Sequence, residues 1–541
     1  MLSALKHHDC PRRADAQPCS DSQASRPARS RKPRSREHHH FDFSVRRLLS
    51  TSTLALAVVS TAVLVLAGCA TPGAQTPPPD RTTAAQVGLA SDRATTAVET
   101  QWWHQFGDSQ LDAIVGQALA GSPSLGAAAA RVAKAQAVIA ATHGAALPQV
   151  GFDASVVRQR LTENGLYPPP YGGMVLNSAD ADFKLSWDLD LWGRNRADLE
   201  AALGAERAAR ADADVAAQQL ATQVVRSYFV LARLGSQREV LQRTLEQRDQ
   251  TLALTRQRVS AGLDTVVELR QAEGALPDTR AQIEAIDEQI ELTRHLLAAL
   301  AAQAPQAYAS LAPTLAQLHV SPQPPVLGAD LIARRPEIAA TLARVEAANQ
   351  QVASQRTRFY PDINFSAFAG LSAIDLSDIS NLNSRVWGFG PALHLPIFEG
   401  GQLRAQLKGK SADRDAAIQA YNQSVIDAVH EASDAASSTA SVARQRAEQA
   451  HALESAIAAY DVAKQRYAQG LSSQLTVLNA ETTWLAQRRL DVDLQYRTLD
   501  VQAQLMKSLG GGWSAPAPTA SGTAVPNSNT AQNDNLKAQN S

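Results

Sequence analysis

From Ala197 to Ala261 the chain contains no proline, and Leu220, Val224, Ser227, Leu231, Leu234, Arg238, Leu241, Leu245, Arg248, Leu252, Thr255 and Val259 follow the a and d positions of a heptad. Ser227, Arg238, Arg248 and Thr255 are polar interruptions of that seam. A helix from Gly193 to Gly262 is about 100 Å long at about 1.5 Å per residue, roughly three times the thickness of a bilayer core. So long and so polar a helix is no membrane span; it packs as a coiled coil. The residues before it have a different period. Phe183, Leu185, Trp187, Leu189 and Leu191 alternate with Lys184, Ser186, Asp188 and Asp190, which predicts a strand with one apolar and one polar face running straight into the helix.

Upstream, Trp102, Trp103, Phe106, Leu111, Ile114, Val115 and Leu119 open a helical pattern that continues to about Ala146 and stops at Leu147–Pro148. Val150, Phe152, Ala154 and Val156 alternate as a first strand, and Asn164 to Asp180, with its proline and glycine runs, is expected as an exposed loop. After the long helix, the turn Ser260–Ala261–Gly262–Leu263–Asp264 leads into a returning helix from about Leu263 to Ala302.

The order then recurs. Leu147–Pro148 returns as Tyr360–Pro361, and Arg258-Val-Ser-Ala-Gly-Leu263 returns at nearly the same interval as Arg466-Tyr-Ala-Gln-Gly-Leu471. Ile363, Phe365, Ala367 and Ala369 repeat the first strand; Trp387, Phe389, Leu393, Leu395 and Ile397 repeat the second. Phe398-Glu-Gly-Gly401 takes the place of Trp192–Gly193. Each repeat therefore reads short helix, strand, loop, strand, long helix, turn, short helix. Two short helices of about 35–40 residues sum to roughly 110 Å and would cover one long helix end to end. The boundaries are 102–304 for the first repeat, 305–327 for a Pro-rich linker and 328–513 for the second repeat, with a disordered tail over 514–541.

The N-terminus carries an address. Residues 1–44 are rich in Arg, Ser and Pro and too poor in apolar residues to fold, so they read as a disordered or mis-assigned extension. Residues 45–68 read as a signal peptide, with Arg46–Arg47 before an apolar run from Leu48 to Leu66. That run ends in Leu66-Ala-Gly-Cys69, which resembles a bacterial lipoprotein box and makes Cys69 the lipidated residue; 69–101 is then a lipid-anchored linker. Cleavage there removes Cys10 and Cys19, so no intrachain disulfide remains. It also leaves 40 basic against 47 acidic residues, a net charge of −7 that offers nothing to nucleic acid.

Four strands cannot close a barrel, for which about eight is the minimum, and an open sheet cannot sit in lipid with bare edges. Three copies supply twelve strands, with polar faces lining a lumen and apolar faces toward lipid. The fold class is therefore a mixed α/β membrane protein with a two-fold internal repeat, four transmembrane β-strands and long coiled-coil helices per chain, its rods too polar for lipid and continuing the tube into an aqueous compartment. Asp190-Leu-Trp-Gly-Arg194, Ala333-Arg-Arg-Pro-Glu337, Phe359-Tyr-Pro361, Tyr467-Ala-Gln-Gly470, Leu509-Gly-Gly-Gly-Trp513 and the lipobox resemble the TolC-type outer-membrane efflux channels, most closely their NodT-like lipoprotein branch.

The resemblance covers about residues 69–513. It implies a homotrimer with a trimeric 12-stranded β-barrel in the cell outer membrane and a periplasmic α-helical tunnel, exporting small molecules and docking on a periplasmic adaptor (membrane fusion) protein and an inner-membrane pump of the resistance-nodulation-division class. It implies a gate near the hairpin turns, where Tyr467 matches the gating tyrosine and Glu268 the acidic partner; a Glu268–Tyr467 hydrogen bond is the expected closure. Thr476 and Asn479 stand where the family often has acidic residues, which removes the expected source of cation selectivity at the pore tip. Gly262, Leu263, Gly470 and Leu471 match the turn residues an adaptor meets.

No catalytic constellation is present: no His-Glu-x-x-His, no Gly-x-Ser-x-Gly, no phosphate loop with Gly-Lys. His430–Glu431 reads as a solvated helix face, Asp188 and Asp190 as polar lumen lining, and Gly510–Gly511–Gly512 as a helix end. No cofactor or metal is expected. Two other readings share most of these features: a periplasmic coiled-coil scaffold lipoprotein without a pore, and a type I protein secretion outlet.

Overall fold

The computed structural model describes residues 72–73, 76–89, 94–96, 98–165, 170–320 and 326–514. The readings made of residues 1–68, of Cys69 and of the tail beyond Ser514 lie outside them.

In chain order the elements are α1 (Ser109–Gly121), α2 (Pro123–Ala145), β1 (Gln149–Arg160), β2 (Val175–Leu189), α3 (Arg194–Ser260), α4 (Val266–Leu300), α5 (Pro336–Thr357), β3 (Asp362–Ala373), β4 (Arg385–His394), α6 (Gln402–Ala468) and α7 (Gln474–Ser508). The duplication is plain in these bounds. The long helices α3 and α6 have 67 residues each, and α4 and α7 have 35 residues each. The interval from Arg194 to Gln402, which open the long helices, equals that from Val266 to Gln474, which open the returning ones. Strands β1 and β3 have 12 residues each.

The strands form one antiparallel sheet in the order β1-β2-β3-β4. Asp153 pairs with Asp182, Asp188 with Asn364 and Phe365 with Pro391, so the register keeps even-numbered positions of β2, β3 and β4 on one face. That face carries Asp180, Asp182, Lys184, Ser186 and Asn364. The other carries Phe152, Phe183, Trp187, Trp387 and Phe389, of which Trp387 and Phe389 are 71% and 72% exposed. The outer edges of β1 and β4 are unpaired among the described residues.

The helices form a single layer in matching order. α2 and α4 pack on one side of α3, α5 and α7 on its other side, and α6 beyond those. The short helices meet end to end: a Cβ on Gly121 would lie 3.7 Å from the Ala301 carbonyl, and one on Gly510 only 2.3 Å from that of Arg334. Around this joint Trp102, Trp103, Phe106, Leu111, Val115, Val224, Tyr228 and Phe229 form the main core, with Phe106 edge-on to Phe229 at 4.9 Å.

Ion pairs lock α3 to the α5/α7 rod: Arg194–Asp362 just above α5, Arg207–Glu346 and Arg344–Asp212 along α5, and Arg226–Asp500, Arg233–Asp493 and Arg248–Glu481 along α7.

The polar interruptions of the heptad seam are thereby explained. Arg248 donates to Glu481 at 3.1 Å and to Thr279 at 2.8 Å, while Arg238 pairs with Asp287 of α4 at 2.5 Å. Thr255 is fully buried beside Tyr467, and Ser227 is buried.

Four sequence expectations need correction. The helix expected over 102–146 is broken at Ser122, whose extended backbone is what a following proline imposes, so α2 has 23 residues rather than about 35–40. The loop expected to end at Asp180 ends before Val175, because Val175–Asp180 pair with Ser155–Arg160. Leu395 and Ile397 lie past the end of β4. Asp190 does not line the polar face. It lies beyond β2 and accepts the backbone N–H groups of Asn195 and Arg196 at 3.1 and 3.0 Å, capping a long helix whose first amides have no partner of their own.

Candidate functional site

The two hairpin tips, α3–α4 and α6–α7, are built alike. In each, a glycine in the left-handed region ends the long helix: Gly262 at φ +76° and Gly470 at φ +77°. The Leu263 N–H donates to the Arg258 carbonyl at 2.9 Å and the Gly262 N–H to that of Val259 at 3.0 Å; Leu471 and Gly470 repeat this with Arg466 and Tyr467. This is the Schellman closure, and it favours glycine at the turn, where the missing Cβ makes the left-handed backbone cheap. It leaves Leu263 and Leu471 pointing outward, 66% and 63% exposed.

Inside the first tip, Arg258 grips Asp264 with two hydrogen bonds, of 2.9 and 3.1 Å. A third guanidinium N–H donates across to the Tyr467 backbone carbonyl of the second hairpin at 3.1 Å, and the guanidinium lies 4.6 Å from the centre of the Tyr467 ring. The Tyr467 hydroxyl donates to Asp264 at 2.5 Å, with the Thr255 hydroxyl 3.3 Å away. Tyr467 is fully buried and fills a small cluster with Tyr460, Ala463 and Val477. Arg258, and to a lesser degree the Tyr467 hydroxyl, hold the Asp264 carboxyl below the usual carboxylate range. Burial first, and Asp264 second, push the Tyr467 phenol upward, so it stays a donor.

The expected bond between Glu268 and Tyr467 is not formed. Glu268 turns back to Thr265, accepting its backbone N–H at 2.9 Å and its hydroxyl, while the Thr265 hydroxyl accepts the Val267 N–H at 3.2 Å. That reciprocal capping box satisfies the free amides at the start of α4 and lowers the Glu268 carboxyl, chiefly through Thr265. Asp264, one helical turn earlier, is the carboxylate that reaches Tyr467. The signal lay in the sequence: Arg258 and Asp264 flank the glycine turn, which brings their side chains together, and only the arginine is repeated, as Arg466, with Ser472 in place of the aspartate. Thr476 and Asn479 are exposed on one face of the first turns of α7, both neutral.

The junction of sheet and helix is a second ordered cluster. Trp192 stacks on Tyr360 with centroids 5.0 Å apart and donates to the Pro361 carbonyl at 2.7 Å. Arg194 bridges Asp188 and Asp362 at 3.1 and 3.2 Å. Arg335 of the Ala333–Glu337 motif is buried, donating to the Ala428 carbonyl at 2.9 Å and to Glu431 at 2.6 Å, which ties the start of α5 to α6. Beside it His430 meets Asp434 at 3.4 Å. Gly510 to Gly512 end α7 where a Cβ on Gly512 would lie 2.2 Å from the Glu99 carbonyl. Among the described residues no helix is long and apolar enough to cross a membrane, and no cluster of His, Cys, Asp or Glu is arranged to hold a metal ion.

Against known proteins, residues 114–315 and 327–511 match the family model described as outer membrane efflux protein. The chain belongs to that family. It is 32% identical over 475 residues to the multidrug resistance outer membrane protein MdtP of Escherichia coli K12, covering 86% of this chain and 97% of that protein. It is 36% identical over 369 residues to the fusaric acid resistance protein FusA of Burkholderia cepacia, covering 66% and 69%. The crystal structure of the outer membrane protein VceC from Vibrio cholerae superposes with a TM-score of 0.72 at 31% identity, covering 77% of this chain and 99% of VceC. As an outer membrane efflux protein the chain has the sheet-and-rod architecture of these channels. It belongs to a channel family rather than an enzyme family.

Proposed function

We propose that three copies of the chain close into a channel through the outer membrane that carries small toxic molecules outward. The observation that carries this reading is the shared order of the two layers. Sheet and rods run in the same sequence across the chain and end at open edges, so one rotation completes both a barrel and a tunnel. The strands alternate in direction, so β4 of one copy meets β1 of the next antiparallel, continuing the ladder. Strands of 10 to 15 residues suffice to cross the hydrocarbon, and the exposed aromatic face supplies the lipid-facing band.

The rods, too polar for lipid, form a periplasmic tunnel whose far end is the pair of hairpin tips. There the Arg258–Asp264–Tyr467 clamp holds the two hairpins of a chain together and narrows the opening. Glu268 supports it indirectly, by capping α4. Thr476 and Asn479 line the entrance without charge, which gives the tip little preference for cations. The exposed turns Gly262–Leu263 and Gly470–Leu471 are the surface for a periplasmic adaptor, which couples the channel to an inner-membrane pump of the resistance-nodulation-division class. Acylation at Cys69 anchors the assembly. The names of MdtP and FusA support drugs and compounds like fusaric acid as cargo classes.

The test is export. A strain lacking its own exit channel, given this chain with a cognate adaptor and pump, regains resistance to several unrelated toxic compounds. Unchanged sensitivity with the protein present in the outer membrane would contradict the reading.

A further inference from the structure

The duplication specifies what the open faces of the helical layer meet. Position by position, α6 matches α3 and α7 matches α4 in one register, which sets Gln402 on Arg194 and Gln474 on Val266. In a second, slightly longer register β3 and the start of α5 match β1 and α2, which sets Asp362 on Gln149 and Pro336 on Pro123. The seam inside a chain, α3 against α5/α7, therefore has a counterpart between copies: α6 of one against α2/α4 of the next.

None of the six ion pairs that lock the internal seam recurs at the matching positions. Arg194–Asp362 becomes Gln402 and Gln149; Arg226–Asp500 becomes Asp434 and Leu292; Arg248–Glu481 becomes Ala456 and Glu273. Apolar side chains stand bare there instead. Leu292 is 59% exposed where Asp500 takes the Arg226 ion pair. Ile426 is 48% exposed where Gln218 reaches the Lys507 carbonyl, and Val462 is 53% exposed where Leu254 packs on the cluster of Tyr460, Ala463, Tyr467 and Val477.

We infer that a second copy of this chain covers these residues, so that the copy-to-copy seam has apolar contacts at Leu292, Ile426 and Val462 in place of the ion pairs and polar contacts of the seam within each chain. The inference rests on the channel reading above and says how its subunits hold together. Salt screens paired charges and does not weaken apolar burial.

A charge swap tests it. Leu292→Asp sets a carboxylate against the neighbour's Asp434, which among the described residues of its own chain pairs with His430 at 3.4 Å. The purified variant is expected to run as a folded monomer in mild detergent. Adding Asp434→Arg rebuilds the Arg226–Asp500 arrangement across the seam; the double variant regains the trimer mass and, unlike the parent, loses it as salt is raised. Should Leu292→Asp fail to fold, the pair Leu292→Cys with Asp434→Cys serves instead, and oxidation is expected to link copies covalently. A trimeric, conducting parent whose Leu292→Asp form stays fully trimeric, or which gives no cross-link, overturns the apolar seam and leaves the channel standing. A parent that is monomeric and does not conduct overturns the channel reading itself.

Discussion

Asp264 and Glu268 lie one helical turn apart, and which of them reaches Tyr467 is decided by what the start of α4 requires. Thr265 and Glu268 satisfy free amides at the start of α4, which turns Glu268 away from Tyr467 and leaves Asp264 to Arg258 and Tyr467. Removing the phenol hydroxyl in Tyr467→Phe costs a hydrogen bond to a charged acceptor, about 1.5 kcal/mol, or roughly tenfold in the balance between closed and open tips. Single-channel recordings should show a correspondingly longer-lived open state. Asp264→Ala, which also strands Arg258, should open the channel further, and Glu268→Gln should leave conductance close to the parent's. The clamp is indifferent to ordinary pH. A carboxyl held below its usual range stabilises the fold above its unfolded pKa of about 3.9 and loses that contribution only as pH falls through the lower folded value. A phenol pushed upward keeps its proton until above about pH 10. Closed-state conductance should therefore be flat from about pH 5 to 9; a step near neutrality would mean that another group holds the gate. At this scale the sequence reading expected Glu268 on Tyr467 where the structure has Asp264, because the choice between two carboxylates a turn apart depends on which of them the capping geometry claims.

Among the elements, the long helices, the strand alternation and the repeat were legible because periodicity records them directly. What periodicity missed were interruptions with a local cause: Pro123 ending α1, and Asn177, Ser178 and Asp180 reading as loop formers while pairing within β2. The arginines within the apolar heptad seam were visible as exceptions, and their partners on α4 and α7 were not. Arg248 shows what they do. Its partner Glu481 is buried, so Arg248→Met leaves a carboxylate without its counter-charge and should cost about 3 kcal/mol of stability in thermal or denaturant unfolding. Removing both charges in Arg248→Met with Glu481→Leu should restore most of it. Gly262→Ala meets no neighbouring atom, so its cost is the left-handed backbone alone, about 1–2 kcal/mol.

The single chain is an unfinished surface: an open sheet and an open layer of rods whose edges fall on the same two sides. Its exposed aromatic face and bare strand edges have no place in water, and its polar rods have none in lipid, which is why one molecule carries both a membrane part and an aqueous part. The most direct measurement is the mass of the purified, full-length protein in detergent, taken together with its conductance in a planar bilayer. A mass of three chains with discrete pores is the expected result. A monomer that leaves the bilayer sealed would contradict the channel and turn attention to a scaffold made of the same rods.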